Sequence, residues 1–143
     1  MKEMQGLSLN PDLDRLESVG RKNGVLYLKK AYFRKRDLII PLIESFDRKT
    51  VLISIGRDSK KFENFEHPQL RSIITVDEKG LNGLVNWSED LGTFHYVSNS
   101  IAKALQLAAE LAQRGELVLF SPFGDEDEIS GNYTQFDKSI DLI

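Results

Sequence analysis

Thr50-Val51-Leu52-Ile53-Ser54-Ile55-Gly56 and, much later, Leu117-Val118-Leu119-Phe120 decide how this chain folds. A strand with one wet face alternates apolar and polar residues. A nearly unbroken apolar run is the mark of a strand covered on both faces, as in parallel sheets. Ser72-Ile73-Ile74-Thr75-Val76 is a further run of this kind, and a shorter one, Phe94-His95-Tyr96-Val97, follows it. Between 98 and 114 the period changes: Ile101, Ala104, Leu105, Ala108, Leu111 and Ala112 fall on one helical stripe, with Ser98 or Ser100 to cap it and Gly115 to stop it. Strands alternating with helices predict an α/β fold, a Rossmann-like and mainly parallel sheet with flanking helices and right-handed crossovers. The 51–55 and 117–120 strands belong at its centre, and the 98–114 helix belongs against one face.

Toward the N-terminus, Asn23-Gly24 is a tight-turn dipeptide followed by Val25-Leu26-Tyr27-Leu28, so 15–28 predicts a hairpin. Asp37 can cap a helix carrying Leu38, Ile39, Leu42, Ile43 and Phe46, and Pro41 lies close enough to its start to be tolerated. Leu81, Leu84, Val85 and Trp87 suggest a short helix within 80–90. Residues 1–14 form a polar arm, and 15–143 one domain without repeats or linkers.

With 143 residues, 41% of them hydrophobic, the chain is large enough for one real core. No apolar run approaches the roughly 18 residues of a membrane span, and residues 1–6 carry no signal-peptide core, so the expected location is the cytoplasm. The absence of cysteine excludes disulfides, thiolate metal sites and thiol nucleophiles, and His67 and His95 are too few for a histidine metal centre or a confident catalytic triad. No metal or cofactor is expected. The net charge of −3 conceals an asymmetry: residues 1–61 sum to +6 and 62–143 to −9. Either the basic half meets an anionic partner, or the two halves face each other in the fold.

Ligands of open α/β sheets gather at the carboxyl ends of strands. Gly56-Arg57-Asp58-Ser59-Lys60-Lys61 leaves one such end with a flexible glycine and cations for a phosphate or carboxylate, but neither a P-loop nor a dinucleotide fingerprint is present. Ser121-Pro122-Phe123-Gly124 leaves another and runs into four carboxylates, 125–128. These have oxygen-ligand chemistry but lack the alternation of a calcium loop, so a solvated charge run is expected. Basic and aromatic residues interleave over 29–36 in a way that suits nucleic acid, although no RNA-binding module motif accompanies them.

The same segments resemble the C-terminal domain of the Mur ligase family, and within it the UDP-N-acetylmuramoyl-L-alanine:D-glutamate ligases. Leu117-Val118-Leu119-Phe120-Ser121-Pro122, with Asn132-Tyr133 after it, is similar to that family's closing signature. Arg114-Gly115-Glu116 resembles its lead-in. Ile53 to Lys61 resembles its strand and glycine-rich turn, with Gly56, Asp58 and Lys60 in register, and Asn23-Gly24-Val25 resembles the opening of its substrate strand. The resemblance covers roughly 15–140. It implies a Rossmann-like unit that docks an amino acid over ATP held on a separate central domain.

The departures fall on the substrate. The family's carboxylate-holding lysine and threonine become Tyr32 and Arg34, a substrate-contacting serine becomes Glu126, and the closing Arg-Gly becomes Phe136-Asp137. Tyr32, Arg34, Gly56, Asp58, Lys60, Ser121, Glu126, Asn132 and Tyr133 are therefore the candidate cleft residues for a ligand, with no catalytic residue among them. The resemblance implies a stand-alone homologue of this domain, non-catalytic alone, with a binding or regulatory role. A small anionic ligand, or a partner protein carrying the other Mur ligase domains of a split ATP-dependent ligase, fits this reading. A phosphate or nucleic-acid module on 29–36 is the alternative; nucleic acid and membrane are not expected partners. The last expectation is that Arg34 or a nearby lysine pairs with Glu126 or Asp127 and partly closes the cleft.

Overall fold

The computed structural model describes residues 15–31, 39–56, 67–87 and 93–143. In chain order the elements are β1 (Glu17–Lys22), β2 (Val25–Lys29), α1 (Ile39–Ser45), β3 (Thr50–Gly56), β4 (Leu70–Val76), β5 (Gly83–Trp87), β6 (Phe94–Ser98), α2 (Ile101–Leu111), β7 (Leu117–Phe123) and α3 (Glu126–Ile140). They build one seven-stranded sheet in the order β1-β2-β7-β3-β4-β6-β5. The five inner strands run parallel, and an antiparallel strand lies at each edge.

The 50–56 and 117–120 runs lie side by side inside the sheet, β3 as its middle strand and β7 next to it, in register from Thr50 opposite Leu117 to Gly56 opposite Phe123. Their side chains divide between two cores. Val51, Ile53, Val118 and Phe120 face α2 and α3, where Ala104, Leu105, Ala108, Ile129 and Phe136 meet them. Leu52, Leu117 and Leu119 face Ile39 and Ile43 of α1. Phe120 and Phe136 stack with centroids 4.5 Å apart and planes 14° from parallel, joining the central strand to the last helix. This is the three-layer α/β arrangement that the buried runs predict.

The hairpin turns at Asn23 (φ 54°) and Gly24 (φ 81°), two successive left-handed residues that match the twist of the flanking strands. α1 accepts Pro41 as its third residue, where the missing N–H has no intrahelical partner to lose. The Asp37 cap and the 1–14 arm lie outside the described residues. Ser100 caps α2 by accepting from the Lys103 N–H at 3.1 Å.

Three expectations are corrected. Residues 83–87 are an edge strand paired with β6 rather than part of a helix, and Leu81 and Leu84, read as an apolar helical face, are 90% and 55% exposed. Gly83 (φ 145°) is a poor residue inside a helix, and the free edge of β6 offers hydrogen bonds instead. Ser121, Pro122 and Phe123 continue β7 rather than leaving it, in a stretch where the β2 pairing has already ended, so the missing proline N–H is tolerated. The four carboxylates at 125–128, expected as a solvated charge run, are the N-cap and first turn of α3. Asp125 accepts from the Glu128 N–H at 2.9 Å while the Glu128 carboxylate accepts from the Asp125 N–H at 3.4 Å, a reciprocal capping box. The acidic run thus complements a helix N-terminus, and among the described residues no cluster of three or more His, Asp or Glu converges on a metal position.

Candidate functional site: two clefts at the strand ends

The chain leaves β2 toward α1 on one face and leaves β7 toward α3 on the other, so the switch point of the sheet lies between these two neighbours. Lys29, the last residue of β2, stands there. Its Nζ donates to Asp137 Oδ1 at 3.0 Å and Oδ2 at 3.3 Å and lies 4.6 Å above the Tyr133 ring. The lysine side chain is only 12% exposed, against 54% for the aspartate. Tyr133 packs in turn on Phe120, 6.4 Å between centroids. A cation of the 29–36 segment is therefore held by a carboxylate of the C-terminal half, but the carboxylate is Asp137. Arg34 lies outside the described residues.

Of the other candidates, Tyr32, Asp58 and Lys60 also lie outside the described residues. Gly56 (φ 117°) ends β3 where a Cβ would collide with the carbonyl oxygen of Phe123, so the close approach of β3 and β7 demands glycine. Ser121 is fully buried opposite Ser54, and neither hydroxyl has a hydrogen-bond partner among the described residues. Glu126 occupies the first turn of α3. Asn132 and Tyr133, adjacent in sequence, diverge: Tyr133 is buried toward the sheet under Lys29, and Asn132 faces α2.

Asn132 lines a second space, a half-open cleft of about 550 Å³ between α2, α3 and the ends of β3 and β4. Ile55, Val76, Ile101 and Ala102 form its apolar lining, and Glu78, Asn99, Ser100 and Gln135 join Asn132 as its polar groups. The turns carrying this rim are braced. The Asp77 N–H donates to the Ser98 carbonyl at 2.9 Å, the Lys79 N–H to Asp77 Oδ1 at 3.1 Å, and the Asn99 N–H to Asn82 Oδ1 at 2.9 Å.

At the opposite, amino-terminal end of the strands, Arg71 makes a bidentate pair with Glu116, 2.8 and 2.7 Å, and Glu116 also accepts from the Gln113 N–H at 2.9 Å. Burial pushes the Glu116 carboxyl up. The Arg71 and Gln113 hydrogen bonds and the charges of Arg71 and Lys49 outweigh it and hold the group below its ordinary value. The hydrogen bond to Glu116 outweighs burial at Arg71 and raises that guanidinium. This pair is remote from the clefts and is structural.

Sequence reasoning missed Lys29 and Asp137 as partners, since nothing local links residues 108 positions apart. It also missed the α3 start, although Asp125-x-x-Glu128 ahead of Ile129, Tyr133 and Phe136 carried the signal.

A parallel sheet with this order, closed by a final helix, is an α/β Rossmann-like domain, and its solved neighbours are Mur ligase domains. A crystallised domain described as coming from a UDP-N-acetylmuramate:L-alanyl-γ-D-glutamyl-meso-diaminopimelate ligase of Haemophilus ducreyi superposes with a TM-score of 0.54 at 10% identity, covering 88% of this chain and 99% of that one. The MurF ligase of Thermotoga maritima, solved in complex with ADP, gives 0.52 at 17% identity over 99% of this chain and 36% of that one. These likenesses establish the fold. In sequence, the chain is 28% identical over 128 residues to the UDP-N-acetylmuramoylalanine–D-glutamate ligase of Salinibacter ruber, covering 85% of this chain. The chain spans 27% of that relative's length. No family profile matches it. The chain is a Mur ligase-like domain, and its sequence likeness is to the D-glutamate-adding enzyme. Among the described residues no helix is long and apolar enough to cross a membrane.

Proposed function

We propose that this Mur ligase-like domain is a binding or regulatory module, without ligase activity on its own, acting through the strand-end surface between β2 and β7. The Lys29–Asp137 pair carries this reading. Lys29, at the end of β2, is already neutralised by a carboxylate and seated on an aromatic ring, on a surface that in the resembled family receives an acidic amino acid. Glu126, standing where that family has a serine, adds negative charge and repels the same substrate. Gly56 at the end of β3 and Tyr133 beneath Lys29 border the proposed surface, with Ser121 buried below it; Tyr32, Arg34, Asp58 and Lys60, outside the described residues, are its further candidates, and a small anion is the ligand class proposed. Amide ligation driven by ATP requires nucleotide and metal groups that none of these residues supplies.

The test is calorimetry and a phosphate-release assay with magnesium and ATP on the purified chain. The expected result is no hydrolysis and binding no tighter than millimolar; micromolar ATP binding overturns the reading. A second reading is favoured by one observation, the 27% of the relative's length that the chain spans. On that reading the chain contributes the amino-acid-docking domain of a ligase whose remaining domains lie elsewhere. ATP turnover appearing only when a partner carrying those domains is added would select it.

A further inference from the structure

We propose that the cleft between α2 and α3 is a binding site for a small, uncharged, hydroxyl-rich molecule of about one sugar ring. This site is separate from the β2–β7 surface and does not depend on the reading given above. Its volume, about 550 Å³, falls within the range of about 300–1,000 Å³ typical of small-ligand sites. It opens at the carboxyl ends of two parallel strands, at Ile55 and Val76, where such sheets bind ligands.

The lining selects the chemistry. Asn99, Asn132 and Gln135 each present both a donor and an acceptor, from two separate elements. Glu78, the one titratable side chain among the described lining residues, can accept two hydroxyl hydrogens at once. Among the described residues no lysine or arginine lines the cleft, so a phosphate or an isolated carboxylate meets Glu78 there without a neutralising cation from them. Neutral hydroxyls satisfy every polar group there, and Ile55, Val76, Ile101 and Ala102 offer apolar surface to the C–H face of a ring. Backbone hydrogen bonds at Asp77 and Asn99 fix the rim before any ligand arrives, which lowers the ordering cost of binding.

Gly131 keeps the space open. A Cβ built on it meets nothing within 4 Å, although it lies inside a helix, where glycine is a poor residue. Filling the cleft from this position is therefore compatible with folding.

The experiment is amide-resolved NMR titration of the full chain with glucose and glycerol as neutral probes, and inorganic phosphate and glycine as charged comparators. The expected result is saturable shifts at Asn99, Ala102, Gly131 and Asn132 with glucose, weaker with glycerol and absent with the charged probes. Gly131→Leu should abolish them at an unchanged or higher melting temperature. Gln135→Leu, on an exposed position of α3, should weaken them several-fold and serves if the glycine variant fails to fold. Shifts with phosphate or glycine in place of glucose, no shift with any probe, or glucose shifts that persist in the folded variants would overturn the proposal.

Discussion

Two glycines in this chain should respond to the same substitution with opposite signs. Gly56 sits at φ 117°, a backbone conformation that residues with a Cβ rarely adopt, and the methyl of Gly56→Ala would be driven into the Phe123 carbonyl oxygen. That oxygen belongs to the backbone of the neighbouring central strand, so no side-chain rotation relieves the contact. Strained backbone of this kind costs about 1–3 kcal/mol. Separating the ends of β3 and β7 would cost roughly a further 0.5–1.5 kcal/mol for a weakened ladder hydrogen bond. The expected loss is thus about 1.5–4.5 kcal/mol, a large share of the roughly 5–15 kcal/mol that stabilises a domain of this kind. Gly131→Ala, in the interior of α3 with open space around the new methyl, should instead gain about 0.5–1 kcal/mol from helix propensity. Urea unfolding with a common slope would measure both. A Gly56→Ala protein within about 0.5 kcal/mol of the parent would refute the close-approach argument, since ordinary surface changes stay inside that band.

Three further outcomes follow from the packing and the charges. Because Glu116 is held below its ordinary carboxyl value when folded, its contribution is complete above about pH 4.3 and is lost as pH falls through the folded value. Glu116→Gln should cost roughly 1–3 kcal/mol near neutrality, and chemical denaturation across pH should show the gap to the parent narrowing in acid. Phe136→Ala removes the ring stacked on Phe120 and should cost about 3–5 kcal/mol, read as a lower urea midpoint with an unchanged slope. Asp137→Asn releases Lys29 from a half-exposed partner and should cost only about 0.2–1 kcal/mol, a difference that shrinks with added salt in thermal melts.

The parts of the fold legible in the sequence were those in which a local pattern and its tertiary environment agree. The runs at 51–55 and 117–120 are apolar throughout because both faces are covered, and Asn23-Gly24 turns because its two left-handed residues suit a hairpin. The α2 stripe is legible because one helical face alone is buried. Residues 83–87 were misread because an edge strand draws its stability from the neighbouring strand's free hydrogen bonds, and its own side chains, Leu84 included, need not be buried. The α3 start was hidden by its charges, which suggested a solvated loop although they are the acidic first turn that a helix dipole favours. For the site, sequence placed Gly56, Ser121, Asn132 and Tyr133 at or near the strand ends, but it grouped Asn132 with Tyr133. A helix sends adjacent residues about 100° apart, so Tyr133 is buried under Lys29 while Asn132 lines the cleft between α2 and α3.

The charge asymmetry follows from the strand order. β7, from the acidic half, inserts between β2 and β3, both from the basic half, so the connections flanking it run against basic segments. Lys29 at the end of β2 meets Asp137 in the helix after β7. Lys49, just before β3, lies in the field of Glu116, just before β7, and Arg48 Nη1 donates to the Gly115 carbonyl at 3.3 Å. Among the described residues the Lys29–Asp137 pair joins a cation of the basic half to a carboxylate of the acidic half, a contact of the kind expected where the halves face each other.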